Sequence, residues 1–174
     1  MKSGKLLHPI TIANTVDDEP IFEQLSAELD SRLGAVSSDA DAMYRELLKL
    51  PIGLRAMGSV HPLDVSMAFE DLGWHFGRWP SQLLANETLA GLKLLGASEA
   101  AETFEVALLA ALKHWSFICS SDFFDRYDDS ALAQVLAPLN QRLWAILGYD
   151  GSSGKNLMEY WVPYARLNPQ NVYR

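Results

Sequence analysis

The sequence predicts an all-α protein: a single-domain bundle of seven or eight helices with a central helical hairpin. Three observations carry this. Apolar residues recur at helical spacing over long stretches, as in Val65, Phe69, Leu72 and Phe76. No run alternates apolar and polar residues over strand length, and the weak candidate is Ile10-Thr11-Ile12. The linker Leu95-Gly96-Ala97-Ser98 joins two periodic runs so tightly that they are expected to pack antiparallel.

Residues 1–16 show no period and are expected to form an extended lead-in. Asp17-Asp18-Glu19-Pro20 has the chemistry of a helix start. An Asp N-cap accepts bonds from unpaired amides, proline fits the first turn, and acids suit the positive helix end. Ile21, Phe22, Leu25, Leu29 and Leu33 follow at helical spacing, and Gly34 stops the run. Ser38 or Asp39 caps a second helix reaching about Leu50, with Met43, Leu47 and Leu50 on one face, and Pro51 ends it. Ile52 to Gly58 reads as a short connector.

His61-Pro62 opens a helix whose apolar face is Val65, Phe69, Leu72 and Phe76, and which Gly77 and Pro80 end. Asn86-Glu87 caps the first arm of the hairpin, carrying Leu89, Leu92 and Leu95 to a stop at Gly96. Ser98 starts the second arm, with Ala101, Phe104, Leu108, Leu112 and Trp115 inward. An acidic, aromatic connection, Asp122 to Asp129, leads to a helix from Ser130 to Leu147 that Pro138 should kink or split. Its inward face is Leu132, Val135, Leu136, Leu139, Leu143 and Leu147. Gly148 to Gly154 is flexible in composition, Leu157 to Trp161 is a last short helix, and 165–174 is expected to be an irregular tail.

At 174 residues the chain has the size of one domain, 1–174. Such a chain can bury about 70 % of its unfolded surface, so it needs no disulfide or metal for stability. Its hydrophobic share of 49 % excludes disorder. The single Cys119, beside Phe117 and Ile118, reads as a buried thiol suited to a reducing cytoplasm. His8 and Pro9 interrupt any signal-peptide core, and the longest apolar block, Val106 to Leu112, is far too short to span a bilayer. Membrane association is therefore not expected. With 22 acids against 14 bases the net charge is −8, which lacks the basic footprint of direct nucleic-acid binding.

Each catalytic constellation lacks a required member. Asp71 and His75 share a helix face and His114 could approach them, but no Glu-x-x-His pair or third convergent ligand completes a metal site. Asp71 with His75 reads as an ordinary helix-face pair. Cys119 lies five residues past His114, so one helix does not bring them together. Asp122, Asp125, Asp128 and Asp129 do not match the ligand spacing of a calcium loop. Gly151-Ser152-Ser153-Gly154-Lys155-Asn156 misses two positions of a phosphate loop, with Tyr149 at the first Gly and Asn156 at the hydroxyl. No cofactor is expected.

Leu50-Pro51, the Gly73-Trp74-His75-Phe76 helix end, the Leu-rich run Glu87 to Leu95, Gly96-Ala97 and the Ala/Glu-rich run Glu99 to Ala107 share an outline. In that outline, residues 47–115 resemble a bacterial helical domain family of largely uncharacterised function that includes a DNA-mimic protein. The family's Asn-Gly-Gly-Phe and following Gln are replaced here by Asp71-Leu72-Gly73-Trp74 and His75. The resemblance implies an all-helical fold and a non-enzymatic role in binding another protein, and it carries over no catalytic residue.

The expectation is a non-enzymatic, acidic interaction protein that covers a basic surface on a protein partner. That partner would be a toxin neutralised by an immunity protein or, second, a nucleic-acid-binding regulator engaged in the DNA-mimic manner. The candidate partner-binding residues are Asp122, Asp125, Asp128 and Asp129, then Asp17, Asp18 and Glu19, with Trp79 as an aromatic anchor. A homodimer is left open by the residues. The competing reading is a small helical enzyme using His61, His75 or His114.

Overall fold

The computed structural model describes residues 8–173, and its regular structure is entirely helical. In chain order the helices are α1 (Pro9–Asn14), α2 (Glu19–Leu33), α3 (Ala40–Leu47), α4 (Ile52–Phe69), α5 (Leu72–Arg78), α6 (Gln82–Leu95), α7 (Ser98–Lys113), α8 (Trp115–Ile118), α9 (Phe123–Arg126), α10 (Ala131–Leu147) and α11 (Trp161–Leu167). Eight of them have seven residues or more. Single 3₁₀ turns at Gly34–Val36, Leu157–Tyr160 and Pro169–Asn171 join the longer pieces.

The bundle is built around α4, which packs on α6 most extensively and also touches α2, α3, α5, α10 and α11. Leu54, Met57, Val60, Leu63 and Met67 are buried, and so are Ala56, Gly58, Ser59, Pro62, Asp64 and Ser66 on its other sides. A helix buried around most of its circumference is a core element rather than an amphipathic one. Ile52 to Gly58, expected as a connector, is therefore the first part of α4, with Pro51 as its N-cap. His61-Pro62 lies inside the helix instead of opening it. Polar contacts fix α4 against α6: Thr88 Oγ1 donates to the Ser59 carbonyl at 2.9 Å, and Arg55 forms a two-point ion pair with Glu87. Glu87 is thus committed to Arg55, and Ser81, not Asn86, caps α6.

The expected helix from His61 to Gly77 is cut in two. The chain breaks at Glu70-Asp71, Asp71 N-caps α5 through the Trp74 amide at 2.8 Å, and Phe69 leaves the inward face to lie 80 % exposed. The hairpin α6–α7 forms as its short linker requires, with Gly96 at φ 83° closing α6 in the left-handed region that glycine adopts without strain. α10 runs unbroken through Pro138, because that residue and Gln134, whose carbonyl loses its donor, both face outward. Val135 also points outward rather than into the core.

Among the described residues, the stretches near both ends carry more regular structure than their composition suggests. Pro9–Asn14 is helical where an extended lead-in was expected, with buried Ile12 as its anchor; residues 1–7 lie outside the described residues. The tail expected as irregular includes the end of α11, a 3₁₀ turn and the buried Val172, while Arg174 lies outside the described residues. Arg166 ties the ends together by donating to the carbonyls of Ile12, Thr15 and Val16 and to the Asp18 carboxylate. Cys119 is exposed, not buried: Ile118 takes the inward position of that turn.

Candidate functional site

The connection between α8 and α10 carries the densest acidic group, and α9 sits at its centre. Phe123 and Phe124 are adjacent but differ in burial. Phe123 is buried against Phe117, Phe124 and Tyr127, with ring centroids 5.1, 5.2 and 5.3 Å away. Phe124 is left 55 % exposed. Around it Asp125, Asp128 and Asp129 are exposed, and none of them pairs with a cation among the described residues. Asp122 is different: it accepts from Arg126 at 2.8 Å. That bond, with help from the Ser120 hydroxyl, holds its carboxyl below the usual range. The Arg126 guanidinium also covers the Phe117 ring at 5.8 Å. A shallow cavity of about 520 Å³ between Phe117, Asp125, Arg126, Asp129 and Ser130 opens beside the patch.

This patch is seated on α5 by close packing. A Cβ at Gly73 would lie 1.9 Å from Tyr127 Cζ, and one at Gly77 would lie 2.4 Å from Phe123 Cε1. The two glycines, one turn apart, form the surface on which the α9 aromatics rest. A polar network locks the same contact. Asp71 Oδ2 accepts from the Tyr127 hydroxyl at 3.3 Å and from Asn140 Nδ2 at 3.2 Å, and Asn140 Oδ1 accepts from the Leu72 amide at 3.0 Å. Burial, and then the Asp71 charge, push the Tyr127 hydroxyl up. The stretch 71–80 therefore supports the acidic patch through Asp71, Gly73 and Gly77.

The other expected site residues lie elsewhere. Asp18 is held by Arg166 at 2.6 and 2.8 Å, so its charge is largely offset, while Asp17 and Glu19 are exposed. Asp18 and Glu19 edge a separate open cavity of about 590 Å³ with Phe22, Met158 and Glu159. Trp79 is half-buried: its indole N–H donates to the Ser37 carbonyl at 3.0 Å, its ring meets Trp74, and Arg78 lies 5.4 Å over its face. It fastens the end of α5 to the turn after α2, and none of these contacts is with either acidic group. Sequence reasoning missed Phe124, whose signal was the adjacency of two Phe among acids, and it missed the seating residues Gly73, Gly77, Tyr127 and Asn140.

The three candidate histidines have different hydrogen-bond and ring neighbours. His75 does not pair with Asp71: its Nδ1 lies 3.1 Å from Ser66 Oγ, and burial pushes it down to about 4. His61 stands against Trp161 with centroids 5.9 Å apart, its Nδ1 buried without a hydrogen-bond partner, and His114 closes α7. The buried Asp64 carboxylate accepts from the Leu157 amide at 2.8 Å. Burial raises its pKa, while that bond, the Tyr149 hydroxyl and His61 work the other way. Among the described residues no three His, Cys, Asp or Glu side chains are grouped to hold a metal ion, and no helix is long and apolar enough to cross a membrane.

No family model, curated protein or solved structure matches the chain.

Proposed function

We propose that this is a non-enzymatic interaction protein that docks its α9 patch onto a basic surface of a partner protein, in the manner of an immunity protein covering a toxin. The observation that supports it is Phe124, more than half exposed and surrounded by the unpaired carboxylates of Asp125, Asp128 and Asp129, on an element seated firmly on α5. An aromatic anchor inside a charged rim is the usual anatomy of a binding hot spot. The rim charges speed association and select the partner, and the buried ring supplies most of the retention. Imitation of a DNA duplex fits less well, because the acids concentrate around an apolar centre that a phosphate backbone lacks. A reducing compartment such as the cytoplasm suits the exposed single thiol of Cys119.

The test is affinity capture from the cell that makes the protein, run in parallel with the full chain, with D125K/D128K/D129K and with Phe124→Ala. A specific partner should be retained at low salt by the native chain, released as salt screens the rim, and lost by both variants. Retention that survives charge reversal at all three aspartates would overturn the proposal, and so would a partner surface of acidic character.

A further inference from the structure

The outer face of α7 carries an apolar pair with opposite charges at its two ends. Val106 and Leu109 are 54 % and 59 % exposed, and Leu112 extends the stripe at 37 %. Glu102 lies one turn before Val106, and its side chain is 73 % exposed, with only a loose 3.9 Å approach from Arg142. Lys113 lies one turn after Leu109, is exposed, and has no acidic partner among the described residues. The opposite face of α7 is fully used, with Ala101, Phe104, Leu108 and Ala111 packed into the core.

We propose that α7 is a homodimer interface that pairs antiparallel with α7 of a second copy. The argument is the self-complementarity of the face. A two-fold axis crossing α7 between Ala107 and Leu108 sets Val106 opposite Leu109 of the other copy, and by the same operation sets Glu102 opposite Lys113. At 1.5 Å of rise per residue, Glu102 and Lys113 stand about 8 Å along the helix on either side of that axis. Both apolar contacts and both ion pairs are then made twice, as an isologous interface requires. A parallel arrangement would bring Glu102 against Glu102 and Lys113 against Lys113. The antiparallel one also opposes the two helix dipoles favourably. The stripe is short and its rim is charged, so the dimer is of the weak, concentration-dependent kind.

Sedimentation of the full chain from micromolar to submillimolar concentration tests this. The mass should rise from that of one chain toward two. Glu102→Lys or Lys113→Glu alone places like charges at both ends and should weaken dimerisation roughly tenfold. The double variant E102K/K113E restores both pairs and should dimerise like the native chain. Leu109→Glu, at an exposed position that leaves the core untouched, should be monomeric with an unchanged helical circular-dichroism spectrum. Reversal of the α9 aspartates should leave dimerisation intact, so failure of this proposal is separable from failure of the partner-binding one. A native chain that stays monomeric throughout overturns it. A dimer indifferent to Leu109→Glu or to the single reversals does so too.

Discussion

The ring of Tyr127 fills the space in front of Gly73, so closely that a Cβ there would lie 1.9 Å from Tyr127 Cζ. Gly73→Ala would ordinarily help a helix by about 1 kcal/mol. Here the ring must be displaced, which also breaks its bond to Asp71 and loosens α9, so a net loss of about 2 kcal/mol is expected. Chemical denaturation measures it. The same substitution made in a Tyr127→Ala background should become neutral or mildly stabilising, because the clash has gone. Equal effects in both backgrounds would mean that the contact does not restrain α9.

His75 makes stability sensitive to acid. Its ring is buried against Phe76 and Phe104 beside Ser66, and burial lowers its folded pKa from 6.5 to about 4. A depressed folded pKa adds stability that is present above the unfolded value and lost as pH falls through the folded one. Unfolding free energy should therefore decline between about pH 6.5 and pH 4, by up to about 3 kcal/mol. His75→Gln should flatten that slope while costing stability at neutral pH. An unchanged slope would assign the acid sensitivity to other groups.

Cys119 should react as an exposed thiol. A chromogenic disulfide reagent should titrate one equivalent in the folded protein at the rate of a small-molecule thiol, with no denaturant required. Slow reaction that speeds up on unfolding would return Cys119 to the core.

Elements were legible in the sequence where both of their ends carry capping chemistry and one face is apolar. α10 has its Ser130 cap and its Gly148 stop, while α7, which lacks a side-chain cap, was marked by the tight Gly96 turn before it. α4 was misread because burial on nearly every side erases the apolar period, so Ile52 to Gly58 read as a connector and His61-Pro62 as a helix start. The helix Pro9–Asn14 is held by Arg166, which reaches the Thr15 and Val16 carbonyls from about 150 residues away, a contact no local pattern records. The acidic patch was visible as charge density. Its seat was not, because Gly73 and Gly77 acquire their meaning only when Tyr127 and Phe123 fold onto them.

Asp64 is a buried carboxylate in the middle of α4, and its one backbone partner is the amide that opens the 3₁₀ turn at Leu157. Its folded pKa is raised, chiefly by burial. A raised folded value adds stability that is complete below the ordinary carboxylate range and lost as pH climbs through the folded pKa, so at neutral pH the charge opposes folding. Asp64→Asn keeps an oxygen acceptor for Leu157 and removes the charge. It should match or exceed the native stability at pH 7 and abolish this part of the pH dependence. Asp64→Leu leaves the Leu157 amide buried without an acceptor, and should cost about 1–3 kcal/mol. The measurement is thermal or denaturant unfolding of the three proteins at pH 5 and 7. If Asp64→Asn proved as damaging as Asp64→Leu, the ionised carboxylate itself would be what holds the turn.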